Sequence, residues 1–391
     1  MLSDLDLELV LNDWNYWQKL PSDTVPRMVL QSPLELAPDL VLVIQGVRRS
    51  GKSTLLAQIM QKNNLSPQDC TFINFEDPRL SGDLNHTLLD RIVSSAKKRR
   101  PKAKKLVYFL DEIQSVSEWQ KWLRVRVDRP TADCFVITGS NAALLSGELA
   151  STLTGRHITL ELFPFDFSEY RLSRAGGGVL GYLKEGGFPR ALSYPDPERL
   201  LREYFTDIVE RDVRRHVAVR SSSVLVSLAK AVFESMGSET SQRSLAGMLG
   251  VTTDTVGTYL KACEAAYLIL PCPYFTFSER QRTARNRKYY PVDLGLRTVI
   301  AARTGFDEGK NLEGAVFLHL RRKYSQVFYW RGKCEVDFVV QDQTGITPFQ
   351  VSRDGLKPRH EMALKEFHAT FPQSKAPVIV TGANIGEFLS G

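Results

Sequence analysis

Two residue pairs in this chain have the types and order for phosphate chemistry: Lys52-Ser53 and, further along, Asp111-Glu112. A lysine ammonium beside a hydroxyl suits an anionic phosphate and its divalent counter-ion. Lys52 would reach the β- and γ-phosphates, and Ser53 would offer an oxygen to Mg²⁺. Asp111 would orient the same Mg²⁺ through its water shell. Glu112 would polarise an attacking water as general base. The pairing points to hydrolysis of a phosphoanhydride, since a small-molecule kinase seldom needs the second glutamate.

These groups work only if the surrounding elements place them. The stretch Gly46-Val47-Arg48-Arg49-Ser50-Gly51-Lys52-Ser53-Thr54 lies between an apolar run, Leu40–Ile44, and a helix-compatible run, Leu55–Met60. That order of strand, glycine loop and helix start is a P-loop. The glycines let successive N–H groups turn toward one anion, and the helix N-terminus adds positive potential. Gly46, Arg49, Ser50, Gly51, Lys52, Ser53 and Thr54 are therefore the candidate nucleotide-binding residues. Leu106–Leu110 is an apolar strand ending in Asp111-Glu112, a Walker B pattern.

A strand over 70–75 ends in Glu76-Asp77-Pro78. These carboxylates belong either to the ligand edge of a doubly wound sheet or to a solvated loop. Cys134–Thr138 is a further buried strand, followed by Gly139-Ser140-Asn141. Ser140 or Asn141 would sense the γ-phosphate from between the Walker strands, or would only cap a helix. Arg156 leaves a helix just before a last strand over 157–162. It would reach into a neighbouring subunit's nucleotide or form a surface salt bridge. Helices are expected over 4–20, 87–100 and 117–128, with Trp119, Trp122 and Leu123 as core. The basic run Lys97–Lys105 is a solvated face or a contact for nucleic-acid backbone.

The chain has 391 residues, 43% hydrophobic and 24% charged, with a formal net charge of +7. Two to four ordinary globular domains fit that length. No apolar run approaches a membrane span, and the acidic N-terminus is no signal peptide. The five cysteines are scattered without C-x-x-C spacing, which disfavours structural zinc and suits a reduced cytoplasmic interior.

Longer motifs resemble one prokaryotic AAA+ ATPase family, whose core precedes a domain of uncharacterised function with a restriction-endonuclease-like part. They are Ile73–Leu80, Leu110–Gln114, Ile137–Asn141, Leu153–Arg156, Leu162–Phe165, Gly186–Pro189 and Tyr204–Asp212. The resemblance implies an AAA+ core of the clade of archaeal ATPases and origin-recognition proteins. It puts Arg156 at the arginine-finger position. It also has Gly187-Phe188-Pro189 open the lid and touch the adenine.

Residues 197–236 are helical by period, with Arg211, Arg214, Arg215 and His216 on them. Ser241–Leu260 reads as helix, tight turn, helix. Ala246 sits at the crossing, Gly250 in the turn, and Thr252, Thr253 and Asp254 supply caps. Leu268–Leu270 begins a strand pair, as in a winged helix. The next stretch, Arg280–Tyr290, reads as a basic loop. Thr253, Thr255, Arg280, Arg282, Arg285 and Arg287 are the candidate DNA contacts, with protein binding the competing use of such a module. The remainder is similar to a PD-(D/E)-x-K nuclease core, with Glu313 on a helix and Asp337 on a strand. Gln350-Val351-Ser352 replaces the Glu-x-Lys, which removes charge that cleavage needs. An inactive, DNA-binding or assembly role is therefore expected for Glu313, Asp337, Gln350 and Ser352.

The expected architecture is α/β. A P-loop AAA+ core (1–175) precedes a helical lid and connector (176–235), a winged helix (236–290) and a nuclease-like domain (291–391). The expected activity is Mg²⁺-dependent ATP hydrolysis coupled to DNA binding or remodelling, with branched or forked DNA a candidate substrate. The alternatives are an ATP-controlled nuclease and a slow ATP switch governing a protein–protein complex. Expected partners are DNA and further copies of the same chain, a hexamer among the open ring sizes.

Overall fold

The computed structural model describes residues 2–17, 20–22, 24–140, 153, 155–217, 222–301 and 307–391. They form two compact units, 1–162 and 163–391.

In the first unit a five-stranded sheet runs β2-β3-β4-β1-β5 among the described residues. Its strands are β1 (Val41–Gln45), β2 (Cys70–Asn74), β3 (Val107–Asp111), β4 (Cys134–Gly139) and β5 (His157–Glu161). All neighbouring pairs are parallel. Buried parallel strands read as continuous apolar runs, and β1, β3 and β4 are buried throughout. Helices α1 (Asp4–Trp14), α2 (Lys52–Lys62), α3 (His86–Arg99) and α4 (Trp119–Asp128) accompany the sheet. Trp119, Trp122 and Leu123 are core residues, as expected. The first helix is shorter than expected. It stops at Trp14, and the Asn15 side chain turns back onto the carbonyl of Leu11.

The second unit begins with α5 (Phe167–Ser173), α6 (Val179–Glu185) and α7 (Pro197–Asp207). The chain then runs through a π-helical segment, Ile208–Val213, before α8 (Ser222–Glu234). Next come α9 (Gln242–Leu249) and α10 (Thr253–Ala265). Gly250 turns between them at φ 66°, a left-handed conformation that favours glycine, and Thr252 caps α10 through the N–H of Thr255. Val256 and Ala246 are buried.

A three-stranded antiparallel sheet follows in the order β6-β8-β7, from β6 (Glu239–Thr240), β7 (Ile269–Cys272) and β8 (Arg287–Pro291). The stretch read as a basic loop is not one. Glu279–Ala284 is helix α11, capped by Ser278, and Arg287–Pro291 is the middle strand. Asp293 caps α12 (Leu294–Ile300), which leads to α13 (Glu308–Lys323). A four-stranded sheet, β12-β11-β10-β9, completes the unit. It comprises β9 (Phe328–Arg331), β10 (Glu335–Asp342), β11 (Gly345–Ser352) and β12 (Val378–Thr381), with α14 (Pro358–Thr370) and α15 (Ile385–Ser390).

Candidate nucleotide site and the second-unit charge cluster

The nucleotide site is assembled at the carboxyl edge of the parallel sheet. β1 feeds the loop from Gly46, and the sequence there is forced by space. A Cβ on Gly46 would lie 2.0 Å from the carbonyl oxygen of Leu162, so only glycine fits. Gly51 turns at φ 97° and starts α2. Arg27, itself buried, donates to the carbonyl of Ser50 at 2.8 Å and braces the loop from beneath. The Lys52 ammonium is buried, 3.1 Å from the carbonyl oxygen of Gly46 and 3.3 Å from that of Val47. The Ser50 hydroxyl is buried with no protein partner among the described residues. Arg49, Ser53 and Thr54 are exposed.

β4 lies between β1 and β3, so its end stands between the two Walker strands, as expected. One residue of β4 that bonds both Asp111 and Glu112 was not foreseen. Thr138, fully buried, donates to Asp111 and accepts the N–H of Glu112 at 3.0 Å. Ser53 donates to the other oxygen of Asp111 at 2.6 Å, and Asn74 adds a bond at 3.1 Å. Glu112 is held at φ 55°, a left-handed conformation unusual for glutamate. One of its oxygens lies 3.5 Å from the Lys52 ammonium. Burial raises the Asp111 pKa, the adjacent Glu112 adds to the rise, and the Ser53 and Thr138 hydroxyls oppose it. Ser53 and Asp111 are hard oxygen donors side by side, a pair that fits Mg²⁺. Ser140 is buried at the end of β4. Asn141 lies outside the described residues.

Glu76 is no free loop carboxylate. It holds Arg48 of the glycine loop in a two-pronged bond of 2.7 and 3.1 Å, and its N–H rests on the Asn74 side chain. Asp77 is turned away to Arg79 and Trp14, and the Arg79 bonds bring its pKa down to about 2. Both residues bond partners distant in sequence, which periodicity does not reveal.

Arg156 stands at the opposite edge of the sheet, where its carbonyl accepts the N–H of Val41, the first residue of β1. The length of β1, about 16 Å for five residues, separates it from its own glycine loop. Its guanidinium pairs with Asp128 at 2.6 Å and bonds the carbonyl of Val127. In the basic run, Lys97, Arg99 and Arg100 are paired with Asp133, Glu8 and Asp69.

In the second unit, the Gly187 N–H is held by Asp293 at 2.6 Å, Phe188 is buried, and Pro189 opens a four-residue helical turn. Burial raises the Asp293 pKa to about 6 against its backbone hydrogen bonds. Three of the four arginines expected to clamp DNA are engaged within the unit. Arg282 bonds Glu279 and the carbonyl of Thr276 and lies over Phe328. Arg285 covers Tyr274, and Arg287 is 3.7 Å from Glu264. Arg280 and Thr253 are exposed, and Thr255 is half-buried.

Glu313 and Asp337 enter one charge cluster with two residues the sequence did not signal, Lys288 and Glu335. The Lys288 ammonium bonds Glu335 and lies 4.0 Å from Glu313. Tyr290 donates to Glu313 at 2.6 Å. Gln350 and the Val351 N–H both donate to one oxygen of Asp337. Ser352 bonds the carbonyl of Gly355 instead. Burial would lower the Lys288 pKa, but Glu313, Glu335 and Asp337 together raise it. Burial raises Glu313 and Asp337 in turn.

The parallel sheet, glycine loop and Asp111-Glu112 edge define the first unit as a P-loop nucleotide-binding domain of the AAA type. Residues 39–171 match the family described as "AAA domain". Residues 179–307 and 308–389 match two domains of unknown function, DUF8612 and DUF4143. The chain belongs to a family of AAA-domain proteins that includes an "uncharacterized protein" of Haemophilus influenzae. That protein is 31% identical over 83% of this chain and 85% of its own length. An uncharacterized protein of Methanocaldococcus jannaschii is 32% identical over 78% of this chain and 73% of its own. The structure of C. elegans PCH-2 aligns at 14% identity with a TM-score of 0.25, over 58% of this chain and 60% of that one. No helix among the described residues is long and apolar enough to cross a membrane.

Proposed function

We propose that the chain is an ATP hydrolase. The observation that carries this reading is the Thr138 hydroxyl joining Asp111 to the Glu112 backbone, with Lys52 against the Glu112 carboxylate. Nucleotide binding alone has no need for a glutamate pinned in a left-handed conformation beside a metal-type carboxylate. The backbone N–H groups of the glycine loop and Lys52 bind the phosphates. Ser53 and Asp111 are the residues that would hold Mg²⁺, which when bound neutralises charge on the phosphate oxygens. Glu112 takes the proton of the attacking water, and Thr138 fixes where that carboxylate points. Ser140 reports the γ-phosphate, a role supported by its burial just after the strand that lies between the Walker strands. Arg156 acts on a neighbour's nucleotide in an oligomer, since a sheet's length separates it from its own. Phosphate release measured with Mg²⁺, and its loss in Glu112→Gln, tests the reading.

What hydrolysis drives is a separate step. The helix–turn–helix, α9–α10, with the strands β7 and β8 supports a winged helix, and α13 with β9–β12 supports a nuclease-like core without its Glu-x-Lys. DNA binding or remodelling, on branched or forked DNA among other forms, is the use this suggests. The engagement of Arg282, Arg285 and Arg287 within the unit favours the second reading, a nucleotide-set switch for a protein complex. ATPase rate with no DNA, duplex, single strand and four-way junction separates them. Acceleration by DNA supports the first, and an unchanged rate with no binding at low salt supports the second.

A further inference from the structure

The cluster around Lys288 is not absorbed by ATP hydrolysis. Lys288 lies on the middle strand of the three-stranded sheet, yet its side chain is 1% exposed and directed at acids of the other sheet's module. Glu313 comes from α13, and Glu335 and Asp337 from β10. A divalent cation here would need carboxylate oxygens converging with room left between them. That room is taken: the ammonium sits on Glu335 and 4.0 Å from Glu313. One Asp337 oxygen already accepts two N–H donors, from Gln350 and Val351. No group of three His, Cys, Asp or Glu among the described residues is placed to hold a metal. Lys288 does not replace the lysine missing at Ser352 as a catalyst either, because its ammonium is 1% exposed and enclosed by Glu313, Glu335 and Asp337, a negative surround that repels a scissile phosphate.

We propose that Lys288 is the built-in cation of the Glu313–Glu335–Asp337 cluster, holding the place of a divalent metal and fastening β8 to α13 and β10. The neighbouring contacts run the same way. The Tyr290 ring stacks on Phe317 at 4.0 Å, and the Lys288 ammonium lies over Tyr329 at 5.2 Å. Arg331 on β9 pairs with Glu239 on β6 at 3.0 Å. The three-stranded sheet and the four-stranded module are therefore tied at this cluster, which on the nuclease-like reading proposed above is where the metal would sit.

The test uses the full-length chain, manganese alone as the metal probe, and three substitutions, singly or combined. Lys288→Met removes the cation and leaves buried carboxylates unpaired, so its Tm falls by about 10 °C. Free Mn²⁺ followed by electron paramagnetic resonance shows one more bound ion in Lys288→Met than in the wild type. That ion disappears when Glu313→Ala is added. Should Lys288→Met fail to fold, Lys288→Met with Glu335→Gln, which removes both charges of the bonded pair, recovers stability if the two are partners. The proposal is overturned if wild-type protein binds Mn²⁺ in a manner lost on Glu313→Ala alone. It is equally overturned if wild-type protein nicks DNA in Mn²⁺ and loses that on Glu313→Ala, or if Lys288→Met melts with the wild type.

Discussion

Thr138→Val changes one hydroxyl to a methyl at a position with no exposed surface. The volume is kept, and two buried bonds are lost. Asp111 loses one donor but keeps Ser53 at 2.6 Å and Asn74 at 3.1 Å. The Glu112 N–H is left unpaired. The unsatisfied N–H costs about 1–3 kcal/mol and the lost bond to the buried Asp111 about 1.5–3 kcal/mol, so the first unit loses roughly 2–5 kcal/mol of stability. The catalytic effect follows from Glu112, whose left-handed backbone persists only while its surroundings hold it. A shift of that carboxylate by about 1 Å is worth on the order of 100-fold, so kcat falls by roughly 10- to 100-fold while KM for ATP changes less. The assay is steady-state phosphate release at saturating ATP across a Mg²⁺ titration, for wild type, Thr138→Val and Thr138→Ser. The serine variant keeps the hydroxyl and recovers most of the rate. A valine variant within twofold of wild type, or a serine variant as slow as valine, refutes the assignment.

Glu76→Gln leaves Arg48 with a neutral partner in place of a two-pronged ion pair. Losing about 1 kcal/mol of loop bracing raises the Kd for ATP roughly fivefold, read by fluorescent-nucleotide titration; an unchanged Kd removes Glu76 from the site. Arg156→Ala and Glu112→Gln chains are each expected to be inactive alone, and mixing them restores hydrolysis because some interfaces then carry both groups intact. Arg156→Ala protein that hydrolyses ATP at the wild-type rate ends the trans assignment. His319 is buried against Phe388, and burial lowers its pKa from 6.5 to about 3. The folded state thus resists the proton that the unfolded chain accepts. This contribution is complete above pH 6.5 and is lost as pH falls toward 3. Between pH 7.5 and 5 wild type loses about 2 kcal/mol relative to His319→Phe, measured by urea unfolding; a pH-independent gap contradicts the buried neutral ring.

The sequence was most informative where chemistry is local. The glycine loop with Lys52-Ser53 is one contiguous stretch and Asp111-Glu112 another, and the apolar runs that precede them read as buried strands. It was least informative where partners meet across the sheet. Thr138 reads as the end of an apolar strand, and its role exists only because β4 lies between β1 and β3. The neighbours Ser140 and Asn141 were legible, since polar residues directly after a buried strand stand out by spacing alone. Arg27, Arg48 and Glu76 are ordinary charges until the loop and the end of β2 are brought together. Lys288 was hidden by its company: within Arg280–Tyr290 it looks like one more surface cation. The aromatic pair Tyr289-Tyr290 was the available sign of a strand there, and a strand would have turned alternate charges inward. The partners of Arg282, Arg285 and Arg287 were hidden for the same reason, because charge density in sequence does not tell which guanidinium is already bonded.

The central claim is that Glu112 activates water for a nucleotide held by Lys52. The most direct measurement is ATP binding and phosphate release on the same preparations of wild type, Lys52→Ala and Glu112→Gln. Wild type is expected to bind and hydrolyse, Glu112→Gln to bind with little change in Kd while hydrolysis falls at least 100-fold, and Lys52→Ala to lose binding. Hydrolysis by Glu112→Gln at the wild-type rate, or unaltered ATP binding by Lys52→Ala, would contradict it.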